Sequence, residues 1–139
     1  MKPFVARRRV EFADTDMAGI VHFSRFFVFM ETAEHALRRH LGFEVHEVTD
    51  GVPIGWPRVG ASCDYKSPAR FGDELDLEVS VLALGTSSVT FGVRFQRGET
   101  LLAEGRMTSV CCRLAPDVKP VPIPAALAER LAEHRKAEP

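Results

Sequence analysis

The chain has 139 residues, 45% hydrophobic and 27% charged, with a net charge of −1. That length fits one domain over residues 1–139, since a chain of about 150 residues buries roughly 68–70% of its unfolded surface. A near-neutral balance argues against a nucleic-acid surface, which needs a clear basic excess. Acidic metabolites remain admissible, because binding them takes only a few local cations.

Residues 1–10 carry Lys2, Arg7, Arg8 and Arg9 with no apolar stretch behind them, so no secretory signal is read there. No run approaches the ~18 apolar residues of a membrane span. Cys63, Cys111 and Cys112 form an odd set without metal-ligand spacing, and a reduced, cytoplasmic setting without a metal is expected. Adjacent Cys111 and Cys112 in a strand would point to opposite faces, one into the core and one less so. Ten Phe against one Trp and one Tyr bias the interior towards groups that form no hydrogen bonds.

Val5 to Ala13 reads as a first strand whose alternation is interrupted by three arginines. A short turn follows, Asp14-Thr15-Asp16-Met17-Ala18-Gly19-Ile20-Val21-His22-Phe23, in which two carboxylates, a glycine and a histidine crowd together. From Phe23 to Leu41 the period is helical: Phe23, Phe26, Phe27, Met30, Ala33, Leu37 and Leu41 share a face. Val28, Phe29 and Ala36 extend the apolar arc, which predicts an enclosed helix. Ser24 is placed to cap its start and Gly42 to stop it.

After the Gly/Pro-punctuated connector Thr49 to Pro57 the period becomes two. Val59, Ala61, Cys63 and Tyr65 alternate with polar or small residues, and a turn from Ser67 to Asp73 follows. Leu75, Leu77, Val79, Val81 and Ala83 alternate with Glu74, Asp76, Glu78 and Ser80. Gly85-Thr86-Ser87 reads as a hairpin turn, then Val89, Phe91, Val93 and Phe95 alternate again. Arg97-Gly98-Glu99 is the next turn, and Leu101 to Leu114 is a last long strand. A proline-rich tail, Pro116 to Pro124, leads to a short amphipathic helix from Ala125 to Arg135. The expected class is α+β: a five-stranded antiparallel sheet wrapped around one long central helix, with a short C-terminal helix. One sheet cannot cover every face of so apolar a helix, so pairing with a second subunit is expected.

Val10-Glu11-Phe12-x-Asp14-Thr15-Asp16-x-Ala18-Gly19-Ile20-Val21, followed by Phe26, Phe27 and Glu31, resembles the hotdog-fold thioesterases of the 4-hydroxybenzoyl-CoA thioesterase family. Asp64-Tyr65-x-x-Pro68-Ala69-x-x-Gly72-Asp73 is similar to the family's second signature, and Lys119-Pro120-x-Pro122-x-Pro124 to its closing segment. The resemblance covers nearly the whole chain. It implies the hotdog fold, hydrolysis of acyl-CoA or acyl-carrier-protein thioesters without metal or redox cofactor, and a homodimer or homotetramer with sites between subunits. No nucleic-acid or membrane partner is implied.

The resemblance makes Asp16 the catalytic carboxylate, as nucleophile or as base for a water; the alternative for any Asp in such a turn is capping. Asp14 fits the capping role better. Gly19 permits a backbone conformation or close approach that a side chain would block. The family's carbonyl-polarising N–H falls on Phe23, where a helix start supplies unsatisfied donors. Some relatives carry a functional His seven residues after the catalytic Asp; here His22 is the sixth, so it either lines the site or packs near it. Glu31 matches an acidic helix position and rivals Asp16, with a structural ion pair as its other reading. Glu34 falls inside the apolar arc, and a partner across a subunit interface is the one explanation offered for it.

Thr86, Ser87 and Arg113 are candidates for the CoA phosphates, with Lys119 a further cation. The acyl pocket is expected among the helix Phe residues, with Tyr65 and Trp56 as contributors. Tyr65 alternates onto the face of Cys63, so core packing is its expected role, with substrate contact the alternative. Two other functions stay open: an acyl-CoA-binding hotdog protein that does not cleave its ligand, and a dehydratase-like hotdog using His22 with Asp16.

Overall fold

The computed structural model describes residues 3–136. In chain order its elements are β1 (Phe4–Arg9), α1 (Arg25–His40), β2 (Glu47–Thr49), β3 (Val52–Gly55), β4 (Arg58–Tyr65), β5 (Glu74–Leu84), β6 (Ser88–Arg97), β7 (Thr100–Val110), β8 (Cys112–Arg113), β9 (Lys119–Pro120) and α2 (Ala125–Ala132). Five strands form one antiparallel sheet in the order β1-β5-β6-β7-β4.

The period-two segments beginning at Leu75 and Val89 are the central strands β5 and β6, and their alternation sets which face is buried; the segment from Val59 to Tyr65 is the edge strand β4, where Val59, Ala61 and Tyr65 are exposed. Leu75, Leu77, Val79 and Val81 of β5 and Val89, Phe91, Val93 and Phe95 of β6 are buried in one cluster with Phe26, Phe29, Met30, Ala33 and Leu37 of α1. Full burial of each such side chain stabilises by roughly 1.5–3 kcal/mol, which is why the apolar stripe fixes how α1 lies on the sheet. The two come very close at β7. A Cβ on Gly105 would clash with Met30 Sδ.

Several boundaries differ from the sequence expectation. The first strand ends at Arg9, because the Asp14 carboxylate accepts the Glu11 N–H at 2.9 Å and curls Phe12–Asp14 into a 3-10 turn. The long helix starts at Arg25 rather than Phe23, with the residues before it held in a turn by the Arg25 N–H to His22 carbonyl bond. Ser24 occupies the cap position without capping; its hydroxyl lies 2.7 Å from His22 Nδ1 instead. Nor does this chain enclose the helix: Val28, Glu31 and Thr32 face outward and are exposed.

The expected strand from Leu101 to Leu114 is two strands. At Cys111 the chain leaves the main sheet: its N–H bonds the Ser87 carbonyl, and its own carbonyl accepts the Val121 N–H. β8 then joins a second sheet of order β2-β3-β8-β9. Strand alternation therefore does not run through Cys111 and Cys112, and both are buried, at 1% and 4% exposure. The C-terminal helix is also shorter than expected, because main-chain bonds from Val81 to the His134 carbonyl and from Lys136 to the Val81 carbonyl draw the chain along β5.

Candidate functional site

Asp14 is the anchor of the first motif. Its side chain is fully buried and accepts the Glu11 N–H, Arg25 Nε at 2.8 Å and the Arg8 guanidinium at 3.3 Å. Burial alone pushes this carboxyl upward, but the Glu11 N–H, Arg25 and Arg8 outweigh it and hold it below the ordinary carboxylate range. The Asp14 carbonyl also accepts the His22 N–H at 2.9 Å, so both ends of the turn hang on one residue. That is the ordering role expected of Asp14.

Asp16 lies on the next loop of chain. Its Oδ1 accepts the Ala18 N–H at 2.8 Å, its carbonyl accepts the Gly19 N–H, and its own N–H bonds the Ile20 carbonyl. Oδ2 has no hydrogen-bond partner among the described residues. Gly19 closes the turn at φ +79°, a left-handed conformation that a side chain would strain. A Cβ there would meet nothing within 4 Å, so the backbone angle and not crowding calls for glycine.

The two sequence signatures meet at this point. The Val21 N–H bonds the Ala69 carbonyl at 2.8 Å, and Asp16, Ile20, Val21, Phe23 and Phe26 line a cavity with Tyr65, Lys66, Ser67, Pro68 and Ala69. Its volume is about 510 Å³, within the range of small-molecule sites. Asp16 is its one carboxylate and Lys66 its one cation among the described residues. Lys66 was not singled out in the sequence, where a solvated strand-end lysine carries no signal of its own. The Phe23 N–H has no hydrogen-bond partner among the described residues and stands just ahead of the first helical residue. Tyr65 is 45% exposed, lines the cavity and packs edge-on against Phe26, with ring centres 5.1 Å apart. It is a wall residue and not a core one.

The remaining candidates stand apart from that cavity within this chain. His22 stacks on the Phe23 ring at 4.5 Å and directs Nδ1 to Ser24, outside the lining. Glu31 lies 3.8 Å from His35 and lines a separate cavity with Glu34, His35, Val45, Trp56 and Arg58. Thr86 and Ser87 lie in the β5–β6 turn, their carbonyls bonded to Ile123 and Cys111, and Arg113 pairs with Asp117 at 3.0 Å. Lys119 lies 3.8 Å from the same Asp117.

Glu34 finds its partners inside the chain and needs no second subunit. It is buried, bonded to Arg38 Nε at 3.1 Å and to Arg58 Nη1 at 2.8 Å. Arg38 is wholly buried with its guanidinium 4.0 Å above the Trp56 ring, which is the position Trp56 takes in place of the acyl pocket. Burial lowers the Arg38 guanidinium from its ordinary value against the opposing pull of Glu34. Nothing in the local pattern marks Arg38 for burial, since charged residues within one turn of a helix end are ordinarily solvated.

Comparison with known proteins gives the family. The thioesterase-like superfamily profile matches residues 10–131. The chain is 30% identical over 129 residues to the 1,4-dihydroxy-2-naphthoyl-CoA hydrolase of Synechocystis sp., covering 89% of this chain and 91% of that one. It is 28% identical over 104 residues to the acyl-CoA thioester hydrolase YbgC of Escherichia coli O6:H1, covering 74% and 77%. Among solved structures, the gentisyl-coenzyme A thioesterase BH1999 superposes with a TM-score of 0.78 at 28% identity, over 89% of this chain and 98% of that one. With both signatures of the first resemblance converging on one cavity, the chain belongs to the thioesterase-like superfamily and has its hotdog fold.

Proposed function

We propose that this protein is an acyl-CoA thioesterase, a single domain over residues 1–139 that hydrolyses its substrate to free acid and CoA. The observation that carries the reading is the position of Asp16: among the described residues it is the one carboxylate on a largely apolar cavity that Phe23 also lines, and neither its Oδ2 nor the Phe23 N–H has a hydrogen-bond partner there. The acyl group lies against Ile20, Val21, Phe26 and Tyr65, and the Phe23 N–H takes the thioester oxygen as it gains charge. Asp16 then acts in one of two balanced ways. As nucleophile it bonds the thioester carbon, expels CoA thiolate and leaves a mixed anhydride that water cleaves. As base it takes a proton from the water that attacks the thioester carbon; the tetrahedral intermediate then breaks its C–S bond, and the departing CoA thiolate takes up that proton to leave free acid and CoA. No metal or redox cofactor enters either route.

Glu31 and His22 are weaker candidates on geometry, one committed to His35 at another cavity and the other to Ser24. We also propose that the active form is a homodimer or homotetramer. Asp16 and Met17 stand exposed, as do Phe23 and the outward face of α1, and a second copy would close the cavity. In that assembly Thr86, Ser87 and Arg113 serve the CoA nucleotide by reaching a neighbour's site, the protein being cytoplasmic with neither nucleic acid nor membrane as partner.

Incubation with a panel of aromatic and aliphatic acyl-CoAs, and with the matching acyl-carrier-protein thioesters, tests the activity. Free CoA released in step with free acid supports the reading. Bound but intact thioester indicates a binding protein, a hydrated intact thioester indicates a dehydratase-type reaction, and release from carrier protein alone moves the substrate class.

A further inference from the structure

The Phe23 N–H shares its peptide unit with the His22 carbonyl, and in a trans unit the two point in opposite directions. Whatever holds that carbonyl therefore aims that N–H. Its partner is the Arg25 N–H at 2.9 Å, from the first residue of α1. The Tyr65 hydroxyl bonds the Phe23 carbonyl, which belongs to the next peptide unit along the chain.

Arg25 is itself gripped from the turn. Its Nε and Nη2 lie 2.8 and 2.7 Å from one oxygen, Oδ1, of the buried Asp14 carboxylate. The Asp14 carbonyl also accepts the His22 N–H at 2.9 Å, so one buried residue secures His22 directly and again through Arg25. Ser24 gives the helix start no such tie: it stands at the cap position without capping and turns its hydroxyl to His22 Nδ1. Asp14 is held below the ordinary carboxylate range, so it remains a charged anchor in any neutral assay.

We propose that Arg25 is a positioning residue, whose two-nitrogen grip on Asp14 fixes the start of α1 and, through the His22 carbonyl, sets the direction of the Phe23 N–H. The inference rests on the reading in which that N–H polarises the thioester. A donor for a developing oxyanion has to be oriented before the charge appears, or the reaction bears the cost of orienting it. A lysine in this place carries the charge without the fork, and its hold is looser.

Arg25→Met keeps the packing of the side-chain stem and removes the grip, while Asp14 retains Arg8 and the Glu11 N–H. Arg8→Met is the control, since it takes the other cation from the same carboxylate without altering His22 or Arg25. Steady-state kinetics of these two variants, Arg25→Lys and Asp16→Asn test the proposal. They are paired with the infrared carbonyl stretch of a bound dethia acyl-CoA analogue, in which a methylene replaces the thioester sulfur. In Arg25→Met kcat should fall about tenfold with KM within about twofold, and the stretch should move to higher frequency than in wild type as polarisation is lost. Arg25→Lys should fall between the two, and Arg8→Met should melt earlier with the wild-type kcat and stretch. Unchanged kcat or an unchanged stretch in Arg25→Met, while Asp16→Asn is inactive, overturns the positioning role and leaves the thioesterase reading standing. Equal losses of kcat in Arg25→Met and Arg8→Met also overturn it, making the ion pair structural only. If Arg25→Met does not fold, Arg25→Lys decides alone, and wild-type kcat and stretch in that variant overturn the role. Full activity in Asp16→Asn defeats the reading of the site itself, and this inference with it.

Discussion

Val21 and Ala69 are joined by one main-chain hydrogen bond, N–H to carbonyl oxygen at 2.8 Å. Through it the turn carrying Asp16 is fastened to the loop that follows β4, and residues 48 positions apart in sequence become opposite walls of one cavity. The bond holds only if the turn keeps its shape, and Asp14 keeps it.

Asp14 is fully buried between two arginines that are themselves part-buried, so Asp14→Asn should cost about 2–3 kcal/mol of stability. The native carboxyl lies below its ordinary range. Its contribution is therefore fully present above the unfolded value, about pH 4, and is lost as pH falls through the lower folded value. Thermal melts between pH 2 and 7 should show wild type losing stability on the acid side more steeply than Asp14→Asn. Parallel curves would remove Asp14 from this role.

Glu34 and Arg38 give a second test, away from the cavity. Glu34→Ala leaves the wholly buried Arg38 charge uncompensated, and a loss of about 3–5 kcal/mol is expected by denaturant unfolding. Replacing both, Glu34→Leu with Arg38→Leu, should recover most of it, because a buried ion pair is often no more stabilising than apolar side chains of similar size. A double variant as unstable as the single one would mean that Trp56 and Arg58 depend on the pair for their positions.

At Gly105 the prediction is steric. Gly105→Ala places a methyl group where Met30 Sδ now lies, so α1 or the Met30 side chain has to shift. About 1–3 kcal/mol of destabilisation is expected from the shift in denaturation midpoint. Met30→Ala combined with Gly105→Ala should show a smaller effect of the second change than in wild type, since the Met30 clash is then gone and only the milder contact with the Ser62 carbonyl at 3.3 Å remains.

Much of this was legible in the sequence, and the reasons divide cleanly. β5 and β6 follow period two and α1 follows period 3.6, so their faces could be assigned without a structure, whereas in the edge strand β4 the alternating Val59, Ala61 and Tyr65 are exposed and only Cys63 is half-buried. β2, β3, β8 and β9 have only two to four residues each, in Pro- and Gly-punctuated segments where no period has room to appear. The second sheet, and with it the burial of both Cys111 and Cys112, was accordingly missed. Within the site, Asp14, Asp16, Gly19 and the Asp64–Asp73 segment could be marked by motif, but their meeting depends on long-range bonds such as Val21 to Ala69 and Tyr65 to Phe23. Nothing local in the chain encodes those pairings. The same limit applies to Arg38, whose burial is set by Glu34 and Trp56 together.

The central claim is that Asp16 carries the chemistry, and the most direct measurement is kcat/KM of Asp16→Asn on the best acyl-CoA of the panel. The side chain keeps its shape and an oxygen for the Ala18 N–H, so fold and substrate binding should persist, with a melting temperature within about 2 °C of wild type. Loss of the carboxylate should lower kcat/KM by at least about a hundredfold. Activity equal to wild type in a folded Asp16→Asn protein would contradict the assignment and return attention to Glu31.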